Sequence, residues 1–356
     1  MKKKLRIIVA PLNWGLGHAT RSIPIIRELL RQGHEVLIAS DGWALDLLKR
    51  EFPDLTALEL PAYDMRYPRK HLLTFLVLQA YKLIGAIVLE NQTLSRYIAQ
   101  YNIDAVISDN RLGCFSKKVP CAVMSHQLSI YTRPPLIGWV STFLHRRILR
   151  RYNQIWVPDN EGPANLSGKL AHGMSLPNMR YTGPLTRMKP GQAARKYDVL
   201  AIISGPEPMR SDWEKAILSQ AADLPYRFLI VQGLPDKDQA SSPYPNVEMR
   251  SFLNAHDLNQ AVLESEVIVS RSGYSTIMDL AVMGKKALLV ATPGQPEQEY
   301  LAWYGHEKGW YYTQLQNQLD LAKGIEGARS CQGIRLEDTH ETKLENFLSD
   351  WVASLN

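Results

Sequence analysis

Residues 267–301 read VIVSRSGYSTIMDLAVMGKKALLVATPGQPEQEYL, and the succession of residue types in this stretch decides the fold. An apolar run, Val267-Ile268-Val269, is followed by Arg271-Ser272-Gly273. The next periodic segment has Ser275 and Thr276 at its start and Gly284 just past its end. That is a strand delivering a small-residue turn straight into a helix N-terminus, followed by a second strand and a polar loop. Amide N–H groups left over in a first helical turn, together with the positive end of the helix dipole, make such a turn a site for phosphate or diphosphate. Arg271 would add charge there. A purely local reading also exists: Thr276 and Asp279 have the spacing of a capping box.

The same strand, turn and helix pattern recurs along the chain. Residues 5–12 read as a buried strand, Asn13 to His18 as its turn, and Ala19 to Arg31 as a helix with Ile23, Ile26, Leu29 and Leu30 at helical spacing. Further strands are expected over 36–39, 55–60, 104–108 and 121–124. Gly183-Pro184 and the polar stretch 189–197 punctuate the middle, after which the pattern restarts with strands at 199–203 and 227–231. A parallel sheet with crossover helices follows, twice over. The expected division is a first α/β domain over 1–185, a second over 186–340 and a terminal helix over 341–356, docked on either. That helix carries Leu344, Phe347, Leu348 and Trp351 on one face.

With 356 residues the chain exceeds one comfortable core, in keeping with two domains. Its 45% apolar and 21% charged residues are those of an ordinary globular protein. The net charge of +6, from 41 basic and 35 acidic residues, points weakly to anionic ligands or an anionic membrane surface and does not call for nucleic acid. Cys114, Cys121 and Cys331 form neither a disulfide framework nor a CxxC zinc site, so a reducing cytoplasm is expected. The short apolar run after Lys2-Lys3-Lys4 is interrupted by Arg6 and reads as a first strand, not a signal peptide.

Two segments bear on membranes. The apolar run 72–89 contains Gln79 and Lys82, and a lysine near a bilayer centre costs about 3 kcal/mol, so a spanning helix is not expected. Residues 136–152 place Leu136, Trp139, Val140, Phe143, Leu144 and Ile148 on one face, with Arg146, Arg147, Arg150 and Arg151 near its end. This suits a helix lying peripherally on an anionic membrane, and equally a domain helix with a solvated basic edge.

Gly15-Leu16-Gly17-His18 lacks the third glycine of a dinucleotide fingerprint, where Thr20 stands, and no ribose-binding acid follows in context. The informative residue is His18 itself, at the mouth of the first strand–helix turn. A neutral imidazole there would take a proton from an attacking hydroxyl or water.

Taken together, these residues resemble the MurG-like glycosyltransferases of the GT-B class, in which two Rossmann-like domains face each other across a cleft. The resemblance spans essentially the whole chain. The run from Arg271-Ser272-Gly273 through Asp279 and Gly284 to Gln298-Glu299 is similar to the family's donor signature. It implies that Ser272, Gly273, Ser275 and Thr276 lie near the donor diphosphate and that Asp279 contacts ribose hydroxyls, where the family usually has Glu. Gln298 and Glu299 look like the pair that contacts the donor sugar, commonly two glutamines. Ser204-Gly205 stands in place of the phosphate-side glycine loop, and Phe252-Leu253 matches the apolar pair beside the pyrimidine, which implies a uridine nucleotide.

On the acceptor side, Gly15-x-Gly17-His18-x-x-Arg21 is similar both to the family's glycine-rich turn and to the GxGHxxR motif of related nucleotide-sugar hydrolases, in which the histidine activates water. His126 lies where the family has a His-Glu-Gln run.

The expected activity is inverting, metal-independent and cofactor-free transfer from a UDP-sugar, UDP-N-acetylhexosamine being the expected donor, to a lipid-linked or cell-envelope glycan acceptor. His18 would be the general base, and the 272–276 turn with Arg271 would stabilise the leaving diphosphate. Asp236 and Asp238, flanking Lys237, read as solvated turn residues, not a metal-binding pair. The alternatives are a nucleotide-sugar hydrolase, a non-catalytic sugar-nucleotide binding protein and, last, an NAD-dependent oxidoreductase.

Overall fold

A computed structural model describes residues 4–63, 72–131, 135–173, 175–234, 239–334, 336 and 340–355. The chain divides into two compact units: 1–165 with 169–185 and 341–356, and 166–168 with 186–340. The terminal helix therefore belongs to the first unit, which the amphipathic pattern alone left open.

In chain order the first unit runs β1 (Arg6–Pro11), α1 (Leu16–Arg31), β2 (Glu35–Ser40), α2 (Gly42–Glu51), β3 (Ala57–Glu59), α3 (Leu72–Tyr101), β4 (Ala105–Asp109), β5 (Cys121–Met124), α4 (Pro135–Leu149), β6 (Gln154–Val157) and β7 (Met179–Tyr181). The seven strands are parallel in the order β3-β2-β1-β4-β5-β6-β7. Ile7, Ile8 and Val9 are fully buried, as strands covered on both faces require, each contributing about 1.5–3 kcal/mol of burial.

The second unit runs β8 (Tyr197–Ile202), α5 (Met209–Ala221), β9 (Phe228–Val231), β10 (Ala240–Tyr244), β11 (Val247–Arg250), α6 (Ala255–Leu263), β12 (Ser265–Ser270), α7 (Tyr274–Met283), β13 (Lys286–Leu289), α8 (Pro296–Glu307), β14 (Tyr312–Thr313) and α9 (Leu321–Ser330). Its order is β10-β11-β9-β8-β12-β13-β14, parallel except for the β10–β11 pair. The last helix, α10 (His340–Ala353), sets Phe347 and Trp351 edge-on against the fully buried Trp156 of β6, with ring centroids 5.0 and 5.1 Å away. Edge-to-face geometry of this kind adds about 0.5–1.5 kcal/mol per pair.

Each sheet has one place where the winding reverses, between β1 and β4 in the first unit and between β8 and β12 in the second. In open parallel sheets, ligands bind outside the carboxyl ends of the strands at such a reversal. Two expectations of local structure change. The first helix begins at Leu16, so His18 stands inside its first turn. The N-cap of α7 is Gly273, with no side-chain cap bond, and Asp279 bonds elsewhere, so there is no capping box at Thr276. The stretch with Asp236 and Asp238 lies outside the described residues.

Candidate active site

The reversal point of the first unit holds a cluster of four side chains. Gly15, with φ 78° in the left-handed region, turns the chain from β1 into α1, and Gly17 accepts the Thr20 hydroxyl at 3.0 Å. His18 and Arg21 then share one face of α1, being three residues apart. The end of β4 pairs in register with the end of β1, bringing Asp109 opposite Pro11. Arg21 holds the Asp109 carboxylate with both Nε, at 2.6 Å, and Nη2. The His18 Nδ1 lies 3.0 Å from Asp109 Oδ1, and the Arg21 Nη1 donates to the His126 Nδ1 at 3.0 Å. All four residues are buried, with His18 at 9% the most accessible of them.

Charge explains the arrangement. Burial would raise the Asp109 carboxyl, but the Arg21 guanidinium and the His18 ring outweigh it and hold the group down at about 2. Burial also lowers the His18 ring below 6.5, Asp109 opposes that shift and Arg21 adds to it, so the imidazole stays neutral near pH 7. The His18 Nδ1 lies between a carboxylate and the Arg21 Nη2 at 2.7 Å, and that nitrogen already serves Asp109. A proton on Nδ1 donated to Asp109 leaves Nε2 with its lone pair.

Asp109 is the residue that sequence reasoning missed. The strand expected over 104–108 stopped one residue short, although an apolar run ending in a carboxylate at the tip of a strand was the signal available. Beside the cluster, Arg111, Glu90 and Asp41 form a second buried ion network, with Arg111 Nη1 2.5 Å from Asp41 Oδ1.

The second unit gathers its expected residues at the carboxyl edges of β8, β12, β13 and β11. Several of their side chains are already engaged within the protein. Arg271 is 2% exposed, stacks 3.9 Å from the Trp213 ring, and donates to the carbonyls of Ser204, Met209, Val290 and Ala291 and to Gln316. It braces four loop ends, and burial lowers it to about 10. The expectation of a phosphate-facing guanidinium becomes that of a brace which keeps its charge beneath the turn. Ser272 is fully buried and donates its hydroxyl to the Gln298 carbonyl, so it ties α8 to the turn and does not present its hydroxyl to a ligand.

Gln298 Oε1 accepts from the Thr292 amide, and Glu299 Oε1 accepts from the Gly294 amide, so both begin as braces of their own loop. Gly205, at φ 118°, lies against Arg271 and Thr292, whose hydroxyl is a buried oxygen without a partner. Around Gly273 a Cβ would meet only open space. Ser275 and Thr276 are partly buried in the first turn of α7. Phe252 and Leu253, half-buried, follow β11. Asp279 accepts the Thr186 hydroxyl, and burial pushes its carboxyl up to about 6.

Among the described residues no helix is long and apolar enough to cross a membrane, and no three His, Cys, Asp or Glu side chains group as ligands for a metal ion.

Residues 211–349 match the glycosyltransferase family 28 C-terminal domain. An uncharacterized glycosyltransferase of Methanosarcina acetivorans is 22% identical over 326 residues, 86% of this chain and 84% of that one. A UDP-N-acetylglucosamine–N-acetylmuramyl-(pentapeptide) pyrophosphoryl-undecaprenol N-acetylglucosamine transferase of Rhodopseudomonas palustris is 34% identical over 82 residues, 21% of either chain. The crystal structure of Acinetobacter baumannii MurG superposes with a TM-score of 0.58 at 14% identity, covering 98% of this chain and 100% of that one. With both sheets wound alike, the chain has a two-domain GT-B fold similar to that of MurG, and over residues 211–349 it is similar to the glycosyltransferase family 28 C-terminal domain.

Proposed function

We propose that the protein transfers a sugar from a UDP-sugar, with UDP-N-acetylhexosamine the expected donor, to a hydroxyl acceptor of the cell envelope, with inversion and without a bound metal. The observation that carries this reading is the His18–Asp109–Arg21 cluster at the reversal point of the first sheet. The acceptor oxygen attacks the anomeric carbon, the bond from that carbon to the diphosphate oxygen breaks, and its electron pair leaves with UDP. The acceptor proton passes to His18 Nε2, and the Asp109 carboxylate stabilises the imidazolium that forms. A single displacement of this kind inverts the anomeric centre.

In the second unit the α7 N-terminus and Gly205 are the groups suited to the diphosphate. The charge of Arg271, which no carboxylate among the described residues offsets, favours an anion there. The Asp279 carboxylate is suited to ribose hydroxyls. The direct test is calorimetric titration of UDP into the wild type and Asp279→Ala, followed by product analysis with UDP-N-acetylhexosamines. Steady consumption of the UDP-sugar with water as the sole acceptor would move the assignment to a hydrolase.

A membrane surface is the proposed setting. Leu136, Trp139, Val140, Phe143 and Leu144 of α4 are 43–72% exposed, and Ile84, Val88 and Leu89 of α3 are at least half exposed. Arg147, Arg150 and Arg151 beside them are exposed, whereas Arg146 is tied to the Leu128 carbonyl and the Ser129 hydroxyl. Arg147→Glu with Arg150→Glu therefore isolates the electrostatic contribution. Co-sedimentation with anionic vesicles should fall by about 1 kcal/mol or more per reversed charge, and unchanged binding would remove the membrane from the proposal.

A further inference from the structure

The proposed reaction leaves the buried ion network of Arg111, Glu90 and Asp41 without a role. Arg111 and Glu90 are fully buried and Asp41 nearly so. Ion pairs taken out of water add little net stability, because desolvation offsets most of their attraction. What such a network holds in place explains it better than the energy it adds.

Its connections run to both members of the His18–Asp109 pair. On the Asp109 side the link is the chain itself. Ser108 Oγ donates to the Arg111 carbonyl at 2.8 Å and accepts from the Arg111 amide at 3.1 Å, which closes the turn from 108 to 111 around Asp109. Within that turn Asn110 takes φ 58°, in the left-handed region that Asn tolerates better than most residues with a Cβ, and its amide donates to the Met124 carbonyl at 3.1 Å. Tyr152 donates to the same Arg111 carbonyl at 2.9 Å. The guanidinium is fixed as well: Nε donates to Glu90 of α3, Nη1 to Asp41 at 2.5 Å and Nη2 to the Pro61 carbonyl at 2.6 Å.

On the His18 side the link is Asp41. Its second oxygen accepts from Asn13 Nδ2 at 3.0 Å, and Asn13 Oδ1 accepts from the Ala44 amide at 3.2 Å. Asn13 opens the turn that leads through Gly15 to His18. Gly42 keeps room for this contact, since a Cβ there would lie 2.5 Å from Asn13 Nδ2. Gly113 does the same at the far end, where a Cβ would lie 2.6 Å from Glu90 Oε2.

We propose that Arg111 is the positioning residue of the His18–Asp109 pair, acting on Asp109 through its own turn and on His18 through Asp41 and Asn13. The inference rests on the glycosyl-transfer reading for the use made of the pair, whereas the way the pair is held does not depend on it.

The test reads the His18 ring. Nitrogen NMR of the full chain, labelled in its histidine rings, reports which ring nitrogen carries the proton at neutral pH, with His18 assigned by its loss in His18→Gln. Asp41→Asn replaces two acceptor oxygens by one acceptor and one donor, so a donor then faces Asn13 Nδ2. The proton should move from Nδ1 toward Nε2, the tautomer ratio shifting about tenfold, as expected for weakening a hydrogen bond to a charged group. Adding Asn13→Asp reverses the polarity of the contact and should restore the wild-type spectrum, because both oxygens of the new carboxylate accept, one from position 41 and one from the Ala44 amide. Arg111→Lys keeps the charge without the fork and should shift the ring in the same direction; where it does not fold, the Asp41 and Asn13 variants carry the test. With a UDP-sugar, kcat of Asp41→Asn should fall about 10- to 100-fold with KM unchanged.

A folded Asp41→Asn protein, judged by circular dichroism, whose His18 ring is unchanged overturns the proposal, as does a shift that Asn13→Asp fails to reverse. A lowered melting temperature with an unmoved ring marks a structural role alone and overturns it too. If the ring responds as expected and the wild type consumes no UDP-sugar, the glycosyl-transfer reading fails and the positioning stands; turnover with an unmoved ring is the reverse result.

Discussion

The two reversal points solve opposite problems with the same strand order. In the first unit, side chains converge: His18, Arg21, Asp109 and His126 touch one another, and the chemistry resides in their protons. At the second, side chains bind the protein's own backbone. Arg271, Ser272, Gln298 and Glu299 hold loops in place, leaving a helix N-terminus and glycines at the surface. A proton-transfer site must fix ionisable atoms to within tenths of an ångström, whereas a diphosphate is met by amides that any sequence supplies once the backbone is held.

The contrast breaks most readily at Asp109. Asp109→Asn should reduce kcat by about 10^3-fold, because the His18 tautomer loses its anchor, with UDP affinity unchanged. Circular dichroism must accompany the kinetics, since the variant leaves Arg21 buried without its carboxylate. A drop in UDP affinity of the same size would erase the distinction between the units.

Asp279→Ala comes next, with an expected loss of about 1–3 kcal/mol in UDP binding and little change in the folded state's secondary structure. The same carboxyl gives a pH signature. Its folded value of about 6 lies above the ordinary 3.8, so the neutral form dominates below pH 6 and the ionised acceptor above it. UDP affinity should rise with pH through about 6, and a flat profile would separate Asp279 from the ribose. His18 has the opposite sign, its folded value lying below 6.5, so kcat should persist below pH 6.5 and fall only at lower pH. An acid limb centred above 6.5 would show that some other group is the base.

Smaller still is Gly205→Ala. A Cβ there would meet only ordinary contacts, so the cost comes from φ 118° and should be about 1–3 kcal/mol of local strain, read as weaker UDP binding. Thr276→Ala should change UDP binding by less than about 0.5 kcal/mol if backbone amides carry the contact. A larger loss would show that the second unit also relies on side chains.

The sequence made the architecture legible because buried parallel strands are continuous apolar runs and their turns are glycine-marked. His18 was found at the mouth of the first strand–helix turn, and Arg21 and His126 from the resemblance to known transferases and hydrolases. Asp109 was not, since nothing local distinguishes a carboxylate at a strand tip from a turn residue until β4 is paired with β1. The inward turn of Arg271 and Ser272 was likewise hidden, because the Trp213 ring and the α8 loop that occupy them are distant in sequence.

The return of α10 to the first unit has a consequence for synthesis. A ribosome delivers Trp156 long before Phe347 and Trp351, and the whole second unit emerges in between. The later-made unit can therefore finish folding first, while the earlier one waits with an indole face uncovered. Chaperone dependence of the nascent chain should track that bare tryptophan.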